Sequence, residues 1–143
     1  MEKFHIFIQL TRLNKPIGIL LLFWPCAWGL TLGYYFNNTS QLYLKYIILF
    51  FLGSVLMRSA GCIFNDIADK NFDKKVERTK NRPIASGKIS VLESFIYVIL
   101  LCLLALLILL QFNKLTIILG MSSMILAFAY PFMKRITYWP QLF

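Results

Sequence analysis

Acidic residues are scarce in this chain: six Asp and Glu among 143 residues, against fifteen Lys and Arg. Histidine is nearly absent. His5, the single one, has no companion acid or nucleophile nearby and reads as an interfacial residue rather than a catalyst. Three cysteines occur, Cys26, Cys62 and Cys102, far apart inside apolar runs. Their spacing offers no zinc pair and their odd number no disulfide frame, so they read as small buried residues. Period-2 alternation is missing, which excludes a transmembrane barrel. No internal repeat or low-complexity tract appears.

What the chain has in abundance is long apolar runs. Hydrophobic residues make up 59% of it and charged residues 15%, too few to cover a soluble domain of this size. Four runs stand out, at about Ile17–Phe36, Tyr46–Phe64, Val91–Phe112 and Leu115–Met133. At about 1.5 Å rise per residue each crosses a hydrocarbon core of roughly 30 Å. Backbone groups in lipid must bond within their own segment, so the expected fold class is an all-α membrane protein with four transmembrane helices. The first run is too long and too bulky at its end for a cleaved signal peptide, and is expected to be a retained helix. Ahead of it, Met1–Pro16 is expected to lie amphipathically at the interface, with Phe4, Phe7, Ile8 and Leu10 against lipid. Pro16 suits a helix start and Pro25 a kink. Between the last two runs only Asn113 and Lys114 are polar, so those two helices are expected to form a tight antiparallel pair.

The basic residues are distributed unevenly. With the N-terminus cytoplasmic, twelve lie on that side (Lys3, Arg12, Lys15, Lys70, Lys74, Lys75, Arg78, Lys80, Arg82, Lys88, Lys134 and Arg135), against Lys45 and Lys114 opposite. This is the positive-inside pattern, and it makes the basicity a matter of orientation and phosphate affinity rather than nucleic-acid binding. The remaining cation, Arg58, lies inside a span. It costs about 2.5–3.5 kcal/mol there on insertion scales and is expected to face a polar cleft, with Gly53 and Gly61 letting neighbouring helices approach.

Against this background the stretch of residues 65–90 is unusual. It opens with "NDIADKNFD", which packs Asn65, Asp66, Asp69 and Asp73 into nine residues at the end of the second run. If that helix continues through Asp73, then Asn65, Asp69 and Asp73 recur every four residues on one stripe, near that of Arg58. Two carboxylates about 6 Å apart repel by roughly 2–3 kcal/mol at an effective dielectric near 20, so such a stripe invites a cation. Oxygen donors alone favour a hard ion such as Mg²⁺, which takes one or two carboxylates and completes its shell with water and substrate phosphate. The pattern therefore reads as a metal–diphosphate site with Arg58, Lys70, Arg78 and Arg82 meeting the remaining phosphate charge. The plain alternative is a solvated charged loop in which Asp66 and Lys70 form an ordinary i,i+4 pair. An EF-hand is excluded, because its turn glycine is Lys74 here and its bidentate glutamate is Lys80.

These segments resemble a known family. "NDIADKNFD" is similar to the first aspartate-rich motif, N-D-x-x-D-x-x-x-D, of the UbiA membrane prenyltransferases. "KPIGILLLFWPCAWGL", "MRSAGCIFNDIADKNFDKKVERTKNRPIASGKIS" and "YPFMKRITYWPQ" look like stretches of its 4-hydroxybenzoate polyprenyltransferase branch. The resemblance covers nearly the whole chain. It implies an all-helical enzyme in which two aspartate-rich motifs hold Mg²⁺ and a polyprenyl diphosphate. The prenyl group passes to the ring carbon of 4-hydroxybenzoate ortho to the hydroxyl, in ubiquinone biosynthesis. Carried onto this chain, Asn65, Asp69 and Asp73 match the metal positions, with Asp66 a further metal candidate or a structural residue. Arg78, Arg82, Tyr130, Lys134 and the membrane-embedded Arg58 match diphosphate positions. Lys70, with Arg58, falls where the aromatic acid is held, and Arg12 and Lys15 match the motif ahead of the first span. Trp24 and Trp28 read as packing rather than cation stabilisers.

One departure stands out: residues 1–143 carry a single aspartate-rich motif, and after Asp73 the only acids are Glu77 and Glu93. The expectation is a single partial domain, an N-terminal half left by truncation, gene splitting or decay, completed if split by a separately encoded C-terminal half, and inserted in the bacterial inner membrane rather than the mitochondrial one. A non-catalytic membrane subunit and a small ion transporter are the competing classes. Alone, the chain is expected to bind diphosphate weakly and to catalyse little. Prenyl transfer by the purified chain at ordinary family rates is the measurement that overturns this expectation.

Overall fold

A computed structural model describes residues 2–37 and 42–133, and among them six helices: α1 (Glu2–Thr11), α2 (Ile17–Asn37), α3 (Tyr43–Ala68), α4 (Lys70–Asp73), α5 (Val91–Leu109) and α6 (Lys114–Met133). Four of them, α2, α3, α5 and α6, are long and apolar enough to cross a membrane. The all-α, four-span expectation holds, with shifted boundaries. α3 runs three residues earlier and four residues later than the apolar run suggests, carrying Asn65 and Asp66 inside the helix. α5 stops at Leu109, and Phe112 turns back to pack its ring 5.3 Å from Tyr46 and 4.7 Å from Phe50 of α3. Asn113 then starts α6, its side-chain oxygen accepting the Thr116 N–H at 2.8 Å.

The helices gather around α3. α5 lies along it over most of its length, and α2 flanks it. The expected tight α5–α6 pair is not what forms: α6 meets α5 near the turn and leans on α3 through Phe128 and Phe132, whose rings are 4.7 and 6.1 Å from Phe64. Lipid solvates leucine as well as a neighbouring helix does, so close ring contacts rather than apolarity decide which helices touch. Close approach also differs from expectation. Gly61 has open space around it and Gly53 meets only Ile108 at ordinary contact distance, whereas a side chain at Gly120 would strike Leu109 at 2.8 Å. α2 runs unbroken through Pro25, and Pro16 accepts the first backbone bonds of that helix, from Ile19 at 2.9 Å and Leu20 at 3.0 Å.

The buried core sits at the Asp66 end of the bundle, where Leu10, Ala60, Ile63, Ile84, Val98 and Leu101 meet. This corrects the picture of α1 as a lipid-lying helix. Phe4 is 70% exposed, but Leu10 is fully buried and Phe7 sets its ring edge-on to Tyr97 at 5.3 Å. Near the bundle end water competes for these side chains, so burial against α3 and α5 is favourable in a way that it is not mid-membrane.

The connection from Lys74 to Ser90 is equally well anchored. Pro83, Ile84 and Ala85 are buried. Lys88 N–H bonds Pro83 O at 2.9 Å and Gly87 N–H bonds Ile84 O at 3.3 Å, the paired bonds of a Schellman ending with Gly87 in the left-handed region at φ 79°. Ser90 and Glu93 then form a reciprocal capping box that starts α5, a signal present in the sequence as Ser-x-x-Glu before an apolar run. A Cβ added at Gly87 would meet no atom within 4 Å, so substitution there tests backbone conformation alone. Gly87→Ala is expected to cost about 1–2 kcal/mol and to lower the apparent unfolding temperature in detergent. Gly87→Asn, which tolerates that conformation, is expected to lose less.

Candidate functional site

Three separate parts of the chain converge on one buried carboxylate. Asp66, 2% exposed and one turn before the end of α3, accepts two guanidinium bonds on the same oxygen, Oδ1. One comes from Arg12 Nη2 at 2.6 Å and the other from Arg82 Nη1 at 3.0 Å. Arg82 Nη1 also donates to Asp73 Oδ2 at 2.8 Å, so a single nitrogen bridges both acids. Asp73 is 7% exposed, and the Thr79 hydroxyl donates to its backbone carbonyl at 3.1 Å. Two carboxylates on one nitrogen lie within about 6 Å of each other and repel by about 3 kcal/mol at an effective dielectric near 20. The two arginines offset that repulsion.

Local backbone explains how each arrives. Arg12 follows α1 with φ 54°, a left-handed conformation that a non-glycine residue adopts at a cost of order 1–3 kcal/mol. Thr11, folded back onto Phe7 O at 2.8 Å, and the buried Leu10 fix the helix end from which Arg12 reaches across. Arg82 begins the turn closed by Gly87, its carbonyl accepting Ser86 N–H at 2.9 Å.

The expected single stripe of Asn65, Asp69 and Asp73 does not survive intact. The regular helix is interrupted at Asp69, where φ −91° and ψ 4° end α3, and the short α4 follows with the Asp73 N–H on Asp69 O at 2.8 Å. What pairs instead is Asp66 with Asp73, two turns apart, through Arg82. The ordinary Asp66–Lys70 pair is likewise replaced, since among the described residues Asp66 forms its ion pairs with Arg12 and Arg82. Asn65, Asp69 and Lys70 are half-buried beside this network.

The other expected site residues are distributed unevenly. Arg78 and Lys15 are exposed, and Tyr130 is half-buried near the end of α6. Arg58 is exposed on α3 and lies over Gly18 of α2, where a side chain would come within 2.5 Å of its Nε. Gly18, which sequence reasoning missed, therefore gives Arg58 its seat. Lys134 lies outside the described residues. Trp24 and Trp28 stack on each other at 6.5 Å and are both exposed on α2.

Among the described residues no three His, Cys, Asp or Glu side chains form a group that could hold a metal by themselves. The donors at the end of α3 are nonetheless all oxygens. That suits Mg²⁺, which relies on one or two carboxylates and on substrate phosphate for the rest of its shell. They fit as part of a site, not as a self-contained cage.

Residues 22–143 match the family model described as UbiA prenyltransferase family. The chain is similar to the mitochondrial 4-hydroxybenzoate polyprenyltransferase of Drosophila pseudoobscura pseudoobscura, at 47% identity over 95% of this chain and 34% of that protein. It is 46% identical to the mitochondrial 4-hydroxybenzoate polyprenyltransferase of Arabidopsis thaliana, over 99% of this chain and 34% of that protein. With the 4-hydroxybenzoate octaprenyltransferase of Psychromonas ingrahamii it shares 47% identity over 99% of its length and 48% of the relative's. The chain thus spans about a third to a half of the curated relatives it matches. No solved structure matches it.

The ion network makes an asymmetric prediction. Arg82→Ala strands Asp73 and is expected to cost on the order of 3 kcal/mol. Arg12→Ala leaves Asp66 paired with Arg82 and is expected to cost distinctly less. Denaturant titration of both variants in micelles checks the order, and equal losses contradict the bridge.

Proposed function

This chain belongs to the UbiA prenyltransferase family, and on that premise we propose that it takes part in transferring a polyprenyl group from polyprenyl diphosphate to 4-hydroxybenzoate, a step of ubiquinone biosynthesis. The observation that carries the reading is the conjunction of buried, arginine-paired aspartates at the end of α3 with 47% identity to 4-hydroxybenzoate polyprenyltransferases over nearly the whole chain.

In this reading the acids and cations divide the work. Asn65, Asp69 and Asp73 are the oxygen donors toward Mg²⁺, and Asp66 stands behind them in its ion pairs with Arg12 and Arg82. Bound there, the ion supplies positive charge to the diphosphate oxygens as they leave. Arg78, Arg82, Tyr130 and Lys134 meet the rest of the phosphate charge, and Arg58 and Lys70 hold the carboxylate of 4-hydroxybenzoate and turn its ring toward the prenyl carbon. The C1–O bond of the prenyl diphosphate breaks and the diphosphate keeps the electron pair. The ring carbon ortho to the hydroxyl donates a π pair to form the new C–C bond, and loss of its proton restores aromaticity. Apolar helix faces keep water from the allylic cation in the interval. The prenyl chain extends along those faces into the bilayer. The positive-inside distribution supports a cytoplasmic site loop and N-terminus, in a bacterial inner membrane on this reading.

A second reading keeps the ancestry and removes independent catalysis. The stretch covers about a third to a half of its relatives and carries one acidic motif where the resemblance implies two. In this reading the segment works with a further helical segment bearing the second motif. Membranes containing the chain alone, and the chain with the C-terminal segment of a full-length bacterial relative, separate the two when assayed for prenylated 4-hydroxybenzoate. Little product from the chain alone and clear product from the pair are expected, with Asp69→Asn or Asp73→Asn lowering it by a hundredfold or more, about 3 kcal/mol of transition-state stabilisation. Absence of product from the pair refutes the enzyme reading, and full rates from the chain alone refute the half-site.

A further inference from the structure

The two buried acids are not equivalently served. Asp66 has two guanidinium partners on one oxygen, while Asp73 has Arg82 as its side-chain ion pair. Removal of Arg82 from this arrangement leaves Asp66 neutralised by Arg12 and leaves Asp73 with its charge uncovered. The two arginines also differ in how they are held. Arg12 leaves a helix end fixed by the fully buried Leu10 and by the Thr11 hydroxyl bond. The Arg82 guanidinium bridges Asp66 and Asp73 from a connection that has turns but no regular helix, and the two arginine side chains are about equally exposed, 30% for Arg12 and 27% for Arg82.

We propose that Arg82 is an internal stand-in cation at Asp73, displaced onto phosphate when a divalent metal arrives with diphosphate, and that Asp66, held by Arg12, is a positioning residue rather than a metal ligand. This rests on reading the end of α3 as a metal–diphosphate site. The guanidinium covers the carboxylate in the absence of metal, so the buried acids never face each other unscreened. An incoming divalent ion carries twice the charge and competes for Asp73. The guanidinium whose Nη1 Asp73 releases is a donor suited to phosphate oxygens. Metal and phosphate therefore bind together, because each removes the other's competitor. Asp66 stays in its Arg12 bond throughout and orients Arg82 for its return.

Binding of Mn²⁺ to the full chain in micelles, read by loss of the free-ion EPR signal, tests the exchange without recourse to catalysis. For the unaltered chain, Mn²⁺ alone is expected to bind weakly, and Mn²⁺ with inorganic pyrophosphate at least about tenfold more tightly. Arg82→Gln is expected to tighten binding of Mn²⁺ alone by about tenfold and to abolish the gain from pyrophosphate. In that background Asp66→Asn leaves Mn²⁺ affinity within about twofold, while Asp73→Asn removes binding. If Arg82→Gln does not fold, Arg82→Lys retains a charge that serves one carboxylate at a time, and an intermediate gain of a few-fold is expected. Unchanged Mn²⁺ affinity on altering Arg82, or equal losses from Asp66→Asn and Asp73→Asn, overturns the proposal while leaving the site reading intact. Failure of the unaltered chain to bind Mn²⁺ even with pyrophosphate removes the site reading, and the proposal with it.

Discussion

Burying the Asp66 carboxylate sets the terms for the rest of this fold. An ion of that size taken from water into a protein interior carries a penalty of several kcal/mol, recovered only where well-placed donors meet it. Its ion-pair donors are not drawn from the neighbouring turns, although Lys70 lies four residues on. The donors come instead from positions 54 residues before and 16 residues after it. Both α1 and the connection to α5 must therefore fold onto the bundle end. Their apolar residues, Leu10 and Ile84, enter the same core as Ile63, so hydrophobic burial and charge pairing favour one arrangement.

The opposite situation holds along the membrane-crossing lengths. α2 and α6 leave most of their large side chains exposed, including Leu21, Trp28, Ile118 and Ile125. In water such faces would demand a partner; in hydrocarbon they do not, since lipid satisfies them at no cost relative to another helix. Specific contact there depends on shape, on the Phe64–Phe128 and Tyr46–Phe112 rings and on the Leu109 side chain seated at Gly120. The molecule therefore has a tightly specified end that holds the charged groups and a loosely specified shaft.

That division explains what was legible in the residues. The four spans were readable because length and apolarity are local properties, and their errors lie at ends where Asn65 or Phe112 behaves against its hydropathy. The acidic motif was readable as a concentration of charge at the end of a span, and the membrane-facing ambiguity of α1 was not, because Leu10 and Phe7 suit lipid and protein alike. The pairing of Asp66 with Arg12 was hidden by distance along the chain: nothing local distinguishes Arg12 from Lys15, yet one is bonded to the acid and the other exposed. The stripe of Asn65, Asp69 and Asp73 assumed an unbroken helix, which is interrupted at Asp69, and the pairing of Asp73 with Arg82 was not foreseen. Gly87 was visible as punctuation, but its role in aiming Arg82 needed the turn itself.

The scarcity of acid then takes on a physical meaning at the charged end. Arg12 and Arg82 neutralise Asp66 and Asp73, and Lys80 covers Glu77 at 2.6 Å. Asp69, the other acid between residues 65 and 90, shares that stretch with Lys70, Lys74, Lys75, Arg78 and Lys88. Internal pairing thus consumes negative charge in the core and leaves the rim strongly positive. Such a field draws polyanions toward the bundle end and falls off within about 8 Å at physiological salt, so it acts on what is already near the membrane surface. A lipid-borne diphosphate diffusing in the plane of the bilayer meets that condition at every approach, whereas a soluble polyanion seldom does. The same few aspartates that would destabilise the buried core unpaired thus leave, through their arginine partners, the exposed lysines to set the sign of the field at this end of the bundle.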